Sequence, residues 1–518
     1  MSVPRFLGQL RGGGSRRQGA PVRKPLPFRP GLELLECRLT PATADVTASV
    51  VFGNLTITDN AATSQLRLSQ PAADEITITP DGGTTINGRA GPVTFFGLTG
   101  NLNVNLGAGI DTLTFDLSQH DISVGNVSIT GNTGAKAVVT DTFTDTARST
   151  HTLNVRGNYK EIFGNGNQFT RLNQFNVSGN LTIDHANGDS FVFLGVDRAN
   201  LGRQFNSVAG DLTVANVTAS GAAASGSDVN ALEETNVGGD LTADMGRGDA
   251  GTGFGGWTSV GSQSNQPVTV GGNVTITART GVLAGGDFAN DGEEVQNAQV
   301  GGAVTMDLGS GVGNTALFGG GTADFFTSAS AVTVTGRGAH DAVTVGPSFV
   351  LGDLAVSLTG KGGNAVAVDG ASVSGDLAVS LTGKGGGNTI AVDSVFVDGD
   401  TSLLAAGGSN SIAIDNQDPG SAFGGRVDIA MMGRNNLLAI NSKGKHGGIH
   451  GGTDRTTFDG EVSANLGAGN DTLVLAEVGE VDFETAATFN GGPGQNTALV
   501  NGANVEAFQG DPTLVNFS

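Results

Sequence analysis

Residues 350–368 read V-L-G-D-L-A-V-S-L-T-G-K-G-G-N-A-V-A-V, and residues 373–392 read V-S-G-D-L-A-V-S-L-T-G-K-G-G-G-N-T-I-A-V. Within the first copy, Leu354, Val356 and Leu358 alternate with Ala355, Ser357 and Thr359. That is the two-residue period of a strand with one apolar face. A Gly-rich turn follows, then a second alternating stretch through Val366 and Val368, or Ile390 and Val392 in the next copy. Each unit therefore reads as strand, turn, strand, turn.

The glycine followed by Asn or Asp that opens this unit recurs along the chain. Copies stand at Gly53-Asn54, Gly100-Asn101, Gly125-Asn126, Gly179-Asn180, Gly210-Asp211, Gly239-Asp240 and Gly272-Asn273. They continue at Gly352-Asp353, Gly375-Asp376 and Gly399-Asp400, and Gly302, Gly425 and Gly460 keep only the glycine. Two short strands cannot bury an apolar face alone, but stacked units can. The pattern predicts an all-β fold, a parallel β-solenoid (β-helix) of Gly/Asn/Asp-cornered coils. Coils of roughly 26 residues after position 50 imply 17 or 18 turns and a rod on the order of 80 Å. A string of antiparallel sandwiches needs about seven strands before it repeats and fits the short period less well.

Composition agrees. Of 518 residues 85 are glycine, with one Trp, one Tyr and 14 Pro. Glycine without a period of three excludes collagen, and 38% hydrophobic residues with 15% charged ones can bury a core. Glycine at the corners is expected to supply positive φ, with Asn and Asp tolerating the same region. No apolar run is long enough for a transmembrane segment. Variable inserts at residues 218–236, 280–297 and 441–459 are expected as loops.

The net charge of −22 divides unevenly, with residues 1–40 at +6 and the remainder at −28. An acidic body disfavours nucleic acid and favours cations. The basic segment, residues 1–45, is expected to be a disordered export leader ahead of a solenoid domain at 46–518. It lacks the apolar core of an ordinary signal peptide. Its residues 29–42, R-P-G-L-E-L-L-E-C-R-L-T-P-A, resemble the N-terminal L-E-x-L-E-x-R-x-x-P-A motif of large exported planctomycete proteins. The resemblance implies an extracellular or cell-surface destination. Cys37, the only cysteine, lies inside it, so no intramolecular disulfide is expected.

Two stretches, G-A-G-I-D-T-L-T-F from Gly107 and G-A-G-N-D-T-L-V-L from Gly467, resemble the hemolysin-type calcium-binding nonapeptide. A weaker copy begins at Gly491. The resemblance makes Gly107, Gly109 and Asp111, and Gly467, Gly469, Asn470 and Asp471, candidate calcium-turn residues, though Leu106 and Leu466 replace the first glycine. A second candidate cation site is the row Asp353, Asp376 and Asp400, which repeats at one corner of three successive coils. His446 and His450 sit among glycines and read as a loop.

For catalysis, Asp141 with Asp145, and Asp415 with Asp418, are formal acid pairs. No nucleophile elbow, P-loop, Cys-His pairing or zinc-protease motif is present. These features predict a non-catalytic exported structural or adhesive element. Its expected partners are cell-envelope or extracellular-matrix components, polysaccharide among them, with self-assembly open. A carbohydrate-active β-helix enzyme is the alternative.

Overall fold

A computed structural model describes residues 45–518 apart from 142–149, 187, 196–205, 216–227, 245–256, 262–266, 279–292, 321–325, 416–419, 442–454, 478 and 508–509. The leader with its motif and Cys37, His446, His450, Asp145, Asp418, the side chain of Asp141 and much of the three inserts lie outside the described residues.

The chain winds as a three-sheet parallel β-solenoid. Among the described residues, the first sheet has 19 strands, the second 18 and the third 15. One coil shows the plan: Leu354–Leu358 lies in the first sheet, Ala365–Asp369 in the second and Ala371–Val373 in the third. The next coil stacks in strict register, with Leu354 on Leu377, Val356 on Val379 and Leu358 on Leu381. Val366 rests on Ile390 and Val368 on Val392. Each of these side chains is at most 2% exposed, and all join one core cluster running the length of the stack.

The solenoid expectation holds, with one correction to the coil. Each turn carries three strands rather than two, because the segment before each Gly-Asn corner is itself a strand. That strand is often only three residues long, as in Ser348–Val350. Three residues are too few for alternation to show above background.

The first turns depart from parallel pairing. Asp45–Val51 folds antiparallel onto Asn54–Asp59, Thr63–Ala72 onto Glu75–Asp81, and that strand onto Val93–Phe96. Hairpins at this end cover a sheet edge that would otherwise offer unpaired backbone. Near the other end, the rings of Phe423, Phe458 and Phe483 stack inside the third sheet at 5.1 and 5.3 Å. Among the described residues, the one short helix is the 3-10 turn Gly502–Asn504, and no helix is long and apolar enough to cross a membrane.

The Gly-Asn corner works differently from the expectation. Gly100, Gly125, Gly179, Gly210, Gly375 and Gly399 are not among the residues with positive φ. They are glycine because of the coil beneath. A Cβ on Gly375 would stand 2.3 Å from Asp353 Oδ1, and one on Gly210 would stand 2.0 Å from Asn180 Oδ1. Apart from Gly53 in the opening hairpin, with φ 77°, left-handed positions lie at the other corners, among them Gly109 and Gly469 in the second and Gln174, Glu234, Asn297, Ser394 and Asp415 in the third.

Candidate functional site

Polar side chains gather in five places: a ladder on the first corner, a buried ladder at the second, two polar clusters inside the coil, and a track on the outer face of the third sheet.

The first-corner ladder explains the Asn/Asp requirement. Each side-chain oxygen accepts the backbone N–H of the equivalent residue one coil on. Asn101 N donates to Asn54 Oδ1 at 2.8 Å, Asn126 N to Asn101 Oδ1 at 2.8 Å, and Asn158 N to Asn126 Oδ1 at 2.8 Å. The row Asp353, Asp376 and Asp400 obeys the same rule. Asp376 N donates to Asp353 Oδ1 at 3.0 Å, Asp400 N to Asp376 Oδ1 at 2.8 Å and Arg426 N to Asp400 Oδ1 at 2.8 Å. The alignment of the three carboxylates is as expected, and each is held by an amide of the next coil.

At the second corner a ladder runs the other way and is sealed from solvent. Asn314, Asp341, Asn364, Asn388, Asn410, Asn436, Asp471 and Asn496 follow one another up the stack, each at most 4% exposed. Here the earlier coil donates: Asn314 N to Asp341 Oδ1 (3.2 Å), Asp341 N to Asn364 Oδ1 (3.0 Å), and so on to Asp471 N on Asn496 Oδ1 (2.9 Å). Asp471 Oδ1 takes Asn436 N at 2.6 Å. Gly467, Gly469 and Asn470 form the turn outside it, where Asn470 N donates to Asn435 Oδ1 and Asn470 Oδ1 accepts from Gln495 N. The Asp of the second nonapeptide copy thus faces the core.

Burial drives the Asp341 carboxyl up to about 6, against hydrogen bonds from Asn314 and Gly338 that lower it. Glu293 is pushed well above its ordinary value by burial and then by the charge of Asp307. A folded-state value above the unfolded one means that the stability is fully present below the unfolded pKa and is lost as pH rises through the folded one. The melting temperature is therefore expected to rise as pH falls from about 7 toward about 4, opposite to ordinary acid denaturation. Asp341→Asn is expected to reduce that slope, and thermal melts across the range, with an unchanged slope as the contrary result, check it.

Asp111, from the first nonapeptide copy, lies in a cluster of its own. Its carboxylate is 3.0 Å from Lys136 Nζ, and both side chains are wholly buried. Ser64 donates its N–H to Asp111 Oδ1 at 3.0 Å and places its hydroxyl 3.2 Å from the same atom. That hydroxyl also bonds Asp59 Oδ2. Gly107 and Gly109 make the turn around this cluster: a Cβ on Gly107 would stand 2.4 Å from Asp59 O. Burial raises the Asp111 carboxyl; the Lys136 hydrogen bond and charge oppose it, and the charge and hydrogen bond of Asp59 add to the rise. Among the described residues, no group of three or more His, Cys, Asp or Glu is gathered as a metal cluster.

A second internal cluster centres on Glu161. It accepts the Tyr159 hydroxyl (2.8 Å), the Thr170 hydroxyl and His185 Nε2 (2.9 Å), while His185 Nδ1 meets Ser190 Oγ at 2.7 Å. The order Ser190, His185, Glu161 follows that of an acyl-transfer triad. All three are 0% exposed, so the group sits inside the wall with no surface to offer a substrate. Asp415, of the second acid pair, is likewise spent: it accepts Ser394 N, Ser421 N, Ser421 Oγ and Thr456 Oγ1 at 2.6–3.1 Å.

None of Lys136, Asp59, Glu161 or His185 was expected from sequence. The available signal was register. Aligning Gly134-Ala135-Lys136 with Gly109-Ile110-Asp111 puts a lysine directly over an aspartate at an inward position.

The outer face of the third sheet carries the remaining feature. Its outward column runs Ser123, Asn154, Asn176, Ser207, Asn236, Thr269, Gln299, Ser328, Phe349, Ser372 and Phe396, each in register with the next. Neighbours are tied side chain to side chain: Asn176 Nδ2 to Asn154 Oδ1 (3.2 Å), Ser207 Oγ to Asn176 Oδ1 (2.8 Å), Thr269 Oγ1 to Asn236 Oδ1 (2.5 Å). A shallow groove of about 660 Å³ runs along Ser207, Asn236, Thr269, Gln299 and Ser328, with no charged residue in its lining. At its end Phe326 and Phe349 are about half exposed, with ring centroids 5.4 Å apart, edge to face. Comparison of the chain with protein-family models, curated proteins and solved structures finds no match.

Proposed function

We propose that the chain is an exported, non-catalytic structural element of the cell surface or extracellular matrix, which docks neutral polysaccharide along the outer face of its third sheet. The observation that carries this reading is the uncharged track. A protein with a formal charge of −22 keeps charge out of the groove along five successive coils. It lines the groove with hydroxyls and amides, the groups that pair with sugar hydroxyls. Their repeat is the strand spacing of about 4.8 Å, close to the length of one sugar ring in an extended chain. The exposed Phe326 and Phe349 offer an apolar face for a ring's C–H groups. The non-catalytic part rests on the sealed placement of the Glu161 and Asp415 groups.

Affinity electrophoresis through gels containing neutral glucans or mannans tests it. Retardation is expected, and Asn236→Ala with Phe349→Ala is expected to weaken it at least tenfold. Migration unaltered by every neutral polymer, or turnover of an acidic polysaccharide by the purified chain, would overturn the reading. Calcium enters it at the exposed row Asp353, Asp376 and Asp400, where a bound ion is expected to raise the melting temperature relative to chelator.

A further inference from the structure

We propose that Lys136 and Asp111 are joined by an intramolecular amide bond, formed by condensation of the ε-amine with the carboxyl group and assisted by Asp59. The geometry is that of a reacting pair. Lys136 Nζ donates to Gly109 O at 2.7 Å and lies 3.4 Å from Thr133 O, which fixes the amine and leaves its remaining position toward Asp111 Oδ2, 3.0 Å away. Apart from Lys136 Nζ, no donor is hydrogen-bonded to that oxygen. The opposite oxygen, Oδ1, is held by the N–H of Ser64, a donor placed where negative charge develops when an amine adds to the carbonyl carbon, and lies 3.2 Å from the Ser64 hydroxyl. Asp59, 1% exposed and bonded to the Ser64 hydroxyl, is the group that takes and returns the proton.

The step balances without an oxidant or activating group. The reacting form is the one reached when a proton passes from Nζ to Oδ2 across their 3.0 Å contact, giving an amine with a free electron pair and a carboxylic acid. The Nζ electron pair forms the bond to Asp111 Cγ, and the carbonyl electrons move to Oδ1. One Nζ proton passes to the Asp59 carboxylate. Asp59 gives a proton to Oδ2, the Cγ–Oδ2 bond breaks as the carbonyl reforms, and one water leaves. The fixed approach supplies the effective concentration that free lysine and aspartate lack. The product ties adjacent coils at the second corner, beside the antiparallel hairpins that start the stack.

Intact-mass measurement of the denatured full chain, with a protease digest to map both ends, tests the proposal. The expected result is a chain lighter than its sequence by one water, and a branched peptide joining the segments that carry Asp111 and Lys136. Lys136→Arg is expected to restore the full mass. Asp59→Ala is expected to restore it in chains whose circular dichroism remains β-rich. A folded wild-type chain of full mass without a branched peptide overturns the bond and leaves an ion pair. A water lost at another residue, seen as an unbranched dehydrated peptide, overturns it equally. A branched peptide in folded Asp59→Ala overturns the role of Asp59.

Discussion

Asn410→Leu is expected to destabilise its coil by about 3–5 kcal/mol, although leucine matches asparagine closely in size and the site is buried. Asn410 is 2% exposed and holds the middle of the second-corner ladder. Its Oδ1 accepts the Asn388 N–H at 3.1 Å and Nδ2 at 3.3 Å, and its Nδ2 donates to Ala405 O at 3.2 Å and Asn436 Oδ1 at 3.1 Å. Leucine leaves the Asn388 amide and the Ala405 carbonyl without these partners, out of reach of water. Each stranded buried group costs about 1–3 kcal/mol, whereas the apolar side chain recovers little because the core below is already closed. Asn410→Asp keeps the Oδ1 acceptor and is expected to lose less, as Asp341 and Asp471 hold equivalent rungs. Because solenoid stability is a sum of neighbouring terms, the sharper readout is local. Exchange of the Asn388 amide is expected to quicken by about two to four powers of ten, the factor that 3–5 kcal/mol implies. Exchange in Asn410→Leu that matches wild type would show that the ladder is decorative.

That buried ladder marks where sequence reading stops. The alternation of Leu354, Val356 and Leu358 is a local property, and it specified both the strand and its inward face. The exposed Asn/Asp corner was legible because the motif repeats. Its cause was not, since the clash between Gly375 and Asp353 Oδ1 exists only when one coil lies on another. The same holds at the second corner. Asn388 follows three glycines and carries no signal of burial, and Asp471 lies in a nonapeptide whose resemblance points it toward calcium. Only the register, which starts the second sheet at the following residue, turns them inward. Lys136, Glu161 and His185 escaped for a related reason. Single charged residues at strand positions carry no signal until the stack sets them against partners 9 to 25 residues away, as with Glu161 and Thr170 or Asp111 and Lys136.

Glu161→Leu is expected to cost about 3–5 kcal/mol, the usual penalty for breaking a buried hydrogen-bonded charge network from one side. The substitution strands the Tyr159 hydroxyl and leaves the Thr170 hydroxyl and His185 Nε2 only each other, at 3.3 Å, since all three meet Glu161. The His185 ring is stacked on Phe163 at a centroid distance of 5.4 Å and bonded to Ser190 through Nδ1. Tyr159→Phe removes one donor and leaves Glu161 two, so about 1 kcal/mol is expected. Its effect shrinks as pH rises into alkali. Burial, reinforced by the charge of Glu161, holds the Tyr159 hydroxyl well above its ordinary value of 10. The unfolded chain therefore ionises first, and stability present below about pH 10 is lost above it. Tyr159→Phe is expected to be less stable than wild type near neutrality and to close the gap in alkali. Denaturant titrations at both ends of that range measure the difference directly. A Glu161→Leu loss under about 1 kcal/mol, or parallel alkaline slopes for Tyr159→Phe and wild type, would mean that the cluster fills space without contributing to the fold.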